Sequence, residues 1–579
     1  MVDEPRLGKT LDETQDVEKV PLGIVSEADH NGECGAVGNG EKAEKGLGGL
    51  SISRPSTSSI SPDRAEETKE HTRSKSQSAS VRSKAVTIIP RSRRRGLLGH
   101  LALIPEVTHP PEYKRKTKWL ITFIVALAAA VAPMGSAIVF PTLSELSAEL
   151  HASSTVTNLS VALYMLAMSI FPLWWSSFSE TLGRRTIYLV SFTLFTLFAI
   201  LSAISTSISM LIVMRVLSGG AAASVQAVGA GTIADIWETK ERGKAMGIFY
   251  LGPLMGPLLA PIIGGALGQR FGWRSSQWFL AVYGGCLILV LTFCLPETLR
   301  RTFPINESAS ANPEASGDAV MPVASRITTR QSVKDQTVTV ARVLKRCFID
   351  PLVIVTYLRF PAVALTVYYA SITFGCLYIL NISLQQTFSS QPYGFGTMII
   401  GLMYIPNSLG YICAALFSGR WSDIIMAREA KAAGRYDTEG RLILLPEDRM
   451  CENAYMAAAM YPLALVLYGW IACYGQHWII AAVANFFFGI GSMIIFSCAT
   501  TMLTEFMSKK SSSGVALNNF VRNIFSCVGG IVASPLIDTI GNGWLFTGLG
   551  VWALGSGSVV WALRRFGPKW RDEMVKIQG

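Results

Sequence analysis

Glu180, Gly183, Arg184 and Arg185 fall within one short stretch, SFSETLGRRTIYL (177–189). An acid, a glycine able to turn the chain and two guanidinium groups at this spacing can form a compact ion-pair cluster, a contact that can be made and broken as a protein changes shape. The arginines alone would also serve as flanking charge at the end of a membrane span, but that leaves the Glu and the Gly unexplained. A second turn, GRWSD (419–423), puts Asp423 where Glu180 stands in the first. Between them, RVLSGGAAASVQAVGAGTIADIWETKERG (215–243) carries Arg215 inside an apolar stretch and Asp235 near its end, within reach of Arg184 or Arg185. An arginine inside a membrane segment is expensive; it faces a partner or a cavity, or it snorkels to the interface. Arg215 is therefore a coupling candidate, able to tune the protonation of a substrate or of a distant acid.

Another unusual run is LGPLMGPLLAPIIGG (251–265). Gly252, Gly256, Ala260 and Gly264 recur every fourth residue and form a thin stripe on one helix face, with Pro253, Pro257 and Pro261 beside it. Proline in a helix interior removes a hydrogen bond, so this helix should be bent and should rely on neighbours to satisfy the freed carbonyls. In lipid, a stripe of small residues lets a neighbouring helix come very close.

These residues must be held by membrane-spanning helices. Half of the 579 residues are hydrophobic, only 16% are charged, and the mean hydropathy is +0.36; soluble domains carry about 25% charged residues. Apolar stretches of membrane-spanning length occur at 119–143, 156–178, 186–206, 209–233, 245–267 and 276–296, and again at 356–383, 394–418, 453–473, 477–503, 513–537 and 543–563. The expectation is an all-α membrane protein of 12 transmembrane helices in two pseudo-symmetric six-helix bundles, 119–297 and 356–566. A cytosolic central loop would cover 298–355, and cytosolic tails 1–118 and 567–579. The 1–118 segment is polar and poor in aromatics, so it is expected to be a disordered N-terminal tail.

Lysine and arginine set the direction. With the N-terminus cytosolic, the inner loops hold Arg184, Arg185, Lys240, Arg242, Lys244, Lys509 and Lys510 besides those of the central gap and of the loop between spans 8 and 9, while the outer loops hold only Arg270 and Arg274. Both termini should be cytosolic. The Asn-x-Ser matches at Asn158, Asn306 and Asn381 then fall in spans or on the cytosolic side, away from glycosylation. The net charge of +11 lies at segment ends and in the tail, including Arg91–Arg95 and Lys114–Lys118, which suits anionic lipid heads rather than nucleic acid. The cysteines show no metal spacing and read as packing residues. No phosphate loop, metal cluster or nucleophile turn is present, so neither an enzyme nor a cofactor or metal is expected.

Two six-span halves with these turns resemble the major facilitator superfamily. The 177–189 turn is similar to its loop signature between spans 2 and 3, with Ser176 and Glu180 where Gly and Asp are usual. RVLSGGAAA is similar to its span-4 signature, with Ser218 for the usual Gln. Ala260-Pro261-Ile262-Ile263-Gly264-Gly265 is similar to the span-5 antiporter signature. FGWRSSQWFLAVYGG (271–285), LPETLRR (295–301) and YIPNSLGYICAALFSGRWSD (404–423) resemble the twelve-span fungal drug:proton antiporters, especially the quinidine-resistance and dityrosine exporter branch.

The resemblance implies alternating access about a cavity lined by spans 1, 4, 7 and 10, with span 11 adding to it. The substrate candidates are Gln226, Tyr368, Tyr369, Tyr378, Asn381, Asn485, Phe487, Asn519 and Arg522. It also implies that the span-5 stripe packs on a span of the second half and seals the outward side. The Glu180, Arg184, Arg185 and Asp235 cluster would latch the cytosolic side. The expected function is proton-coupled export of small amphipathic organic compounds, whether xenobiotics, polyamines or dityrosine-like metabolites, from the plasma membrane, by a functional monomer. The expected partners are membrane lipid, the organic substrate and protons. Kinases are a further partner for the tail at Ser61, Ser74, Ser76 and Ser83. No Asp, Glu or His lies in the middle of a span, so the residues name no proton site. The alternatives are a facilitative carrier or a non-transporting receptor or scaffold.

Overall fold

A computed structural model describes residues 88–299, 350–437, 440, 442–507 and 511–578. The expected central loop and the proposed phosphorylation sites lie outside this range, apart from the ends of the loop. Among the described residues, twelve helices are long and apolar enough to cross a membrane. Spans 1 to 6 are Arg115–Glu149, Ser154–Leu182, Arg184–Ala203, Ile208–Ile236, Glu241–Phe271 and Arg274–Cys294. Spans 7 to 12 are Pro361–Ser389, Thr397–Ala432, Glu452–Cys473, Trp478–Phe506, Ser513–Ile540 and Asn542–Arg571. Their number and order match the hydropathy reading.

Local chemistry sets the boundaries. The Ser153 and Ser207 hydroxyls accept hydrogen bonds from the Val156 and Met210 amides and cap spans 2 and 4. Gly183, at φ +99°, turns the chain between spans 2 and 3 in a conformation closed to other residue types. Span 1 is segmented: helices Arg115–Ala129 and Val131–Ala137 are followed by a 3₁₀ turn, Phe140–Thr142, and a short helix, Leu143–Glu149. Span 5 is one continuous helix, Thr239–Phe271, in spite of its three prolines.

The spans alternate between two ends. The end that carries the Gly183 turn is called the charged end here, and the other the opposite end. Spans 1–6 and 7–12 form two halves that meet along spans 2 and 11, 5 and 8, and 1 and 7. Two boundaries differ from the sequence expectation. Residues 88–113, placed in the disordered tail, fold into a strap of short 3₁₀ turns on the charged end of the first half, and span 1 begins at Arg115. The last helix, Ser558–Gln578, runs through residue 567, where a separate tail was expected to begin.

Candidate functional site

The charged turn is built around Arg184 and Arg185, the first residues of span 3. The Arg184 side chain donates to Asp235 Oδ2 (3.2 Å) and to Ser179 Oγ (2.6 Å). It passes over Gly231, where an added side chain would stand 2.7 Å from the guanidinium carbon. Arg185 is fully buried and its guanidinium donates to main-chain carbonyls: Leu97 (2.9 Å) and Leu98 (2.9 Å) of the strap, and Leu291, Thr292 and Leu295 around the end of span 6. The amides of Arg184 and Arg185 both donate to Glu297, at 3.0 and 3.2 Å. This buried carboxylate therefore caps span 3 from a distant point in sequence, where the positive end of the helix dipole favours it.

The sequence reading missed Glu297 as a site residue. Its signal was an acid directly after an apolar span, in LPETLRR. Glu180 sits exposed on the last turn of span 2. The partners of Arg184 and Arg185 all belong to the first half or to its strap, so these two arginines brace one half.

In the second half, Arg449 bridges Asp423 (3.2 Å) and Glu505 (2.8 Å). Burial alone would loosen its proton, but the hydrogen bond and charge of Glu505, then of Asp423, hold it more firmly than usual.

The span-5 stripe packs differently from the expectation. A side chain on Gly252 would overlap the Ala126 carbonyl, one on Gly256 would come within 2.9 Å of the Ala130 carbonyl, and one on Gly264 would overlap the Ile138 carbonyl. Ala260 on the same stripe is fully buried. The stripe thus joins span 5 to span 1 of its own half. The contact with the second half uses the adjacent face: Gly265 lies against Thr397 and Gly401, and Gly401 against the Pro261 carbonyl. A periodic stripe identifies a close-packing face but not which neighbour occupies it.

The halves meet toward the opposite end. Asn158 donates to Ser534 (2.8 Å), Ser534 to Gln386 (3.1 Å), and Gln386 to Asp538 (2.7 Å). Asn158, Ser534 and Gln386 line a polar cavity of about 320 Å³ with Thr157 and Gln385. Phe140 stacks on Tyr404, and Ser136 bonds Tyr378 (3.3 Å) across the halves. Toward the charged end, nothing lies within 4 Å of a side chain built on Gly243 or Gly247 of span 5. The structure is closed at the opposite end, and the Gly243–Gly247 face of span 5 meets no neighbour at the charged end.

The cavity candidates separate into three groups. Tyr378 and Arg522 lie at the centre. The Arg522 guanidinium stands 4.3 Å from the Phe374 ring and 5.1 Å from the Phe496 ring, within electrostatic reach of the Tyr378, Tyr411 and Tyr250 hydroxyls. Tyr250 belongs to the first half and is 48% exposed, so it faces a space between the halves. Asn485 is buried with both amide atoms unpartnered, while Gln226, Asn381 and Asn519 are half-buried.

The remaining candidates belong elsewhere. Tyr369 is in the core of the second half. Tyr368 accepts a hydrogen bond from the exposed Trp552 of span 12 (3.1 Å). Phe487 is 44% exposed, and Phe488 next to it takes the core position. Helical turning separates these neighbours, which are adjacent in sequence.

Arg215 is also buried, 1% exposed, but its bonds are made. It donates to the Ser160 carbonyl (3.0 Å) and the Gly135 carbonyl (2.9 Å) and lies 5.0 Å from the Tyr164 ring. Gly135 and Gly219 leave the room that Tyr164 needs. No group of His, Cys, Asp and Glu suited to a metal ion occurs among the described residues.

Twelve membrane-length helices in two halves, closed at one end around an aromatic centre, define a polytopic carrier. The chain belongs to the major facilitator superfamily, whose family model matches residues 125–436, and it is a multi-pass membrane transporter of that class. It is 50% identical to MFS transporter OpS2 of Beauveria bassiana over 62% of this chain and 99% of that one. It is 34% identical to MFS antiporter QDR3 of Candida albicans, covering 84% of this chain and 83% of that protein. It is 30% identical to quinidine resistance protein 3 of Saccharomyces cerevisiae, over 84% and 87%. A D-xylose–proton symporter structure superposes with TM-score 0.53 at 13% identity, covering 76% of this chain and 97% of that one, which supports the fold alone.

Proposed function

We propose that the chain is a secondary active exporter of small amphipathic organic compounds, working by alternating access in the plasma membrane with both termini cytosolic. The observation that carries this reading is the centre, where Tyr378, Arg522, Phe374, Phe496 and the first half's Tyr250 converge. Aromatic walls with a few placed polar groups suit such substrates. Relatives named for quinidine resistance and antiport support the same class. The state described is the one open to the cytosol, with the Asn158–Ser534–Gln386 contacts as the outer gate. The Gly183 turn keeps spans 2, 3, 4 and 6 together as one rigid lever.

Proton coupling is proposed on the antiporter relative. Glu180, Asp235, Glu505 and Asp538 sit near span ends rather than at mid-span, and this favours a second reading, a facilitative carrier. Everted vesicles decide between them. Uptake of amphipathic dyes against their gradient, driven by an acidic interior and abolished by a protonophore, is the expected result. Equilibration that ignores the pH gradient would establish the facilitative carrier instead.

A further inference from the structure

Two arginines of the membrane region, the buried Arg215 and the half-buried Arg522, differ in their partners. Arg215 spends its donors on main-chain carbonyls beneath Tyr164, as an arginine with a purely structural role does. Arg522 has no such arrangement. Its Nε is buried without a hydrogen-bond partner, and among the described residues no carboxylate faces it. The groups that act on it are two phenyl rings and the hydroxyls of Tyr378, Tyr411 and Tyr250. The rings offer polarisable contact but no strong acceptor. Of the three hydroxyls, those of Tyr378 and Tyr411 have partners in Ser136 and Ser492.

Such an arrangement leaves an excess of donors at the point where the halves face each other. A cation half enclosed among rings, with its Nε shut off from solvent and no counter-charge, is costly, and a bidentate oxyanion is the best match to a guanidinium fork. Cationic cargo would meet repulsion there. We propose that Arg522 is the recognition point for an anionic group on the substrate, so that the site favours aromatic or apolar acids (carboxylates, phenolates or acidic enols) over organic cations. The phenol hydroxyls would donate to the same oxyanion, and Phe374 and Phe496 would fix the guanidinium's position. This deepens the exporter reading and rests on its central site.

The test uses two xanthene dyes of opposite charge, fluorescein and rhodamine 123, and the full chain in phosphatidylcholine nanodiscs, with binding read by fluorescence anisotropy. Fluorescein should bind more tightly than rhodamine 123. Arg522→Gln should weaken fluorescein by about tenfold or more, Arg522→Lys should restore part of the loss, and rhodamine 123 should be held no worse by Arg522→Gln. Phe496→Leu, which keeps the charge and removes one ring, should give a smaller loss in the same direction. Thermal unfolding without dye checks that each variant is folded. A preference for rhodamine 123, unchanged fluorescein binding in Arg522→Gln, or no fluorescein binding by the parent would each overturn the proposal. Vesicle export of fluorescein that is indifferent to Arg522 would leave the exporter reading standing and remove only this inference.

Discussion

The two acid–base turns stand at equivalent points of the two halves and read alike in sequence, yet they are built differently. In the first, both arginines are enclosed: Arg185 by five carbonyls, Arg184 by Asp235 and Ser179, and their amides by Glu297. In the second, Arg449 links Glu505 to an Asp423 side chain that is 71% exposed. A buried, densely bonded network is rigid and intolerant of change, whereas an exposed pair contributes about 0–1 kcal/mol. The two turns share the placement of an acid but not the way their charges are held.

Gly183→Ala should break this contrast most severely. The backbone there is open only to glycine, and the new methyl would stand 2.5 Å from Glu297 Oε2. A loss on the order of 3 kcal/mol is expected, seen as a lowered unfolding temperature in detergent and little export. Asp235→Asn should come next. It removes the charge facing a mostly buried Arg184 but leaves Ser179, so expression should persist, with export slowed and stability reduced by about 1–2 kcal/mol. Unaltered flux in that variant would mean the brace plays no part in turnover. Asp423→Asn should do least, below about 0.5 kcal/mol, because Arg449 keeps Glu505. If it proved as harmful as Asp235→Asn, the two turns would be equivalent after all.

The number and order of the spans were legible because hydrocarbon thickness imposes a length that hydropathy registers directly. The positions of Arg184 and Asp235 were legible too, since opposite charges at neighbouring span ends have few places to go. Glu297 was not, because its contribution is a cap on a helix more than a hundred residues earlier, and a lone acid after an apolar run does not reveal its partner. The strap escaped notice because main-chain bonds hold it, such as Leu103 N–H to the Phe293 carbonyl (2.7 Å), and polar composition does not report those. The neighbour of the span-5 stripe was misjudged for a related reason. Spacing shows where a backbone can come close, and only the assembled bundle shows that the backbone is that of span 1.

The strap also determines where a pull on the amino-terminal chain is felt. Residue 88 precedes span 1, but Leu97 and Leu98 hold Arg185, and Arg95 reaches the Leu299 carbonyl beyond span 6. Tension at the strap is therefore delivered to the Gly183 corner before it reaches Arg115. A load hung on the tail, whether a fused domain or a bound protein, would strain the Gly183 corner of the first half and leave the helix next to it in sequence nearly slack.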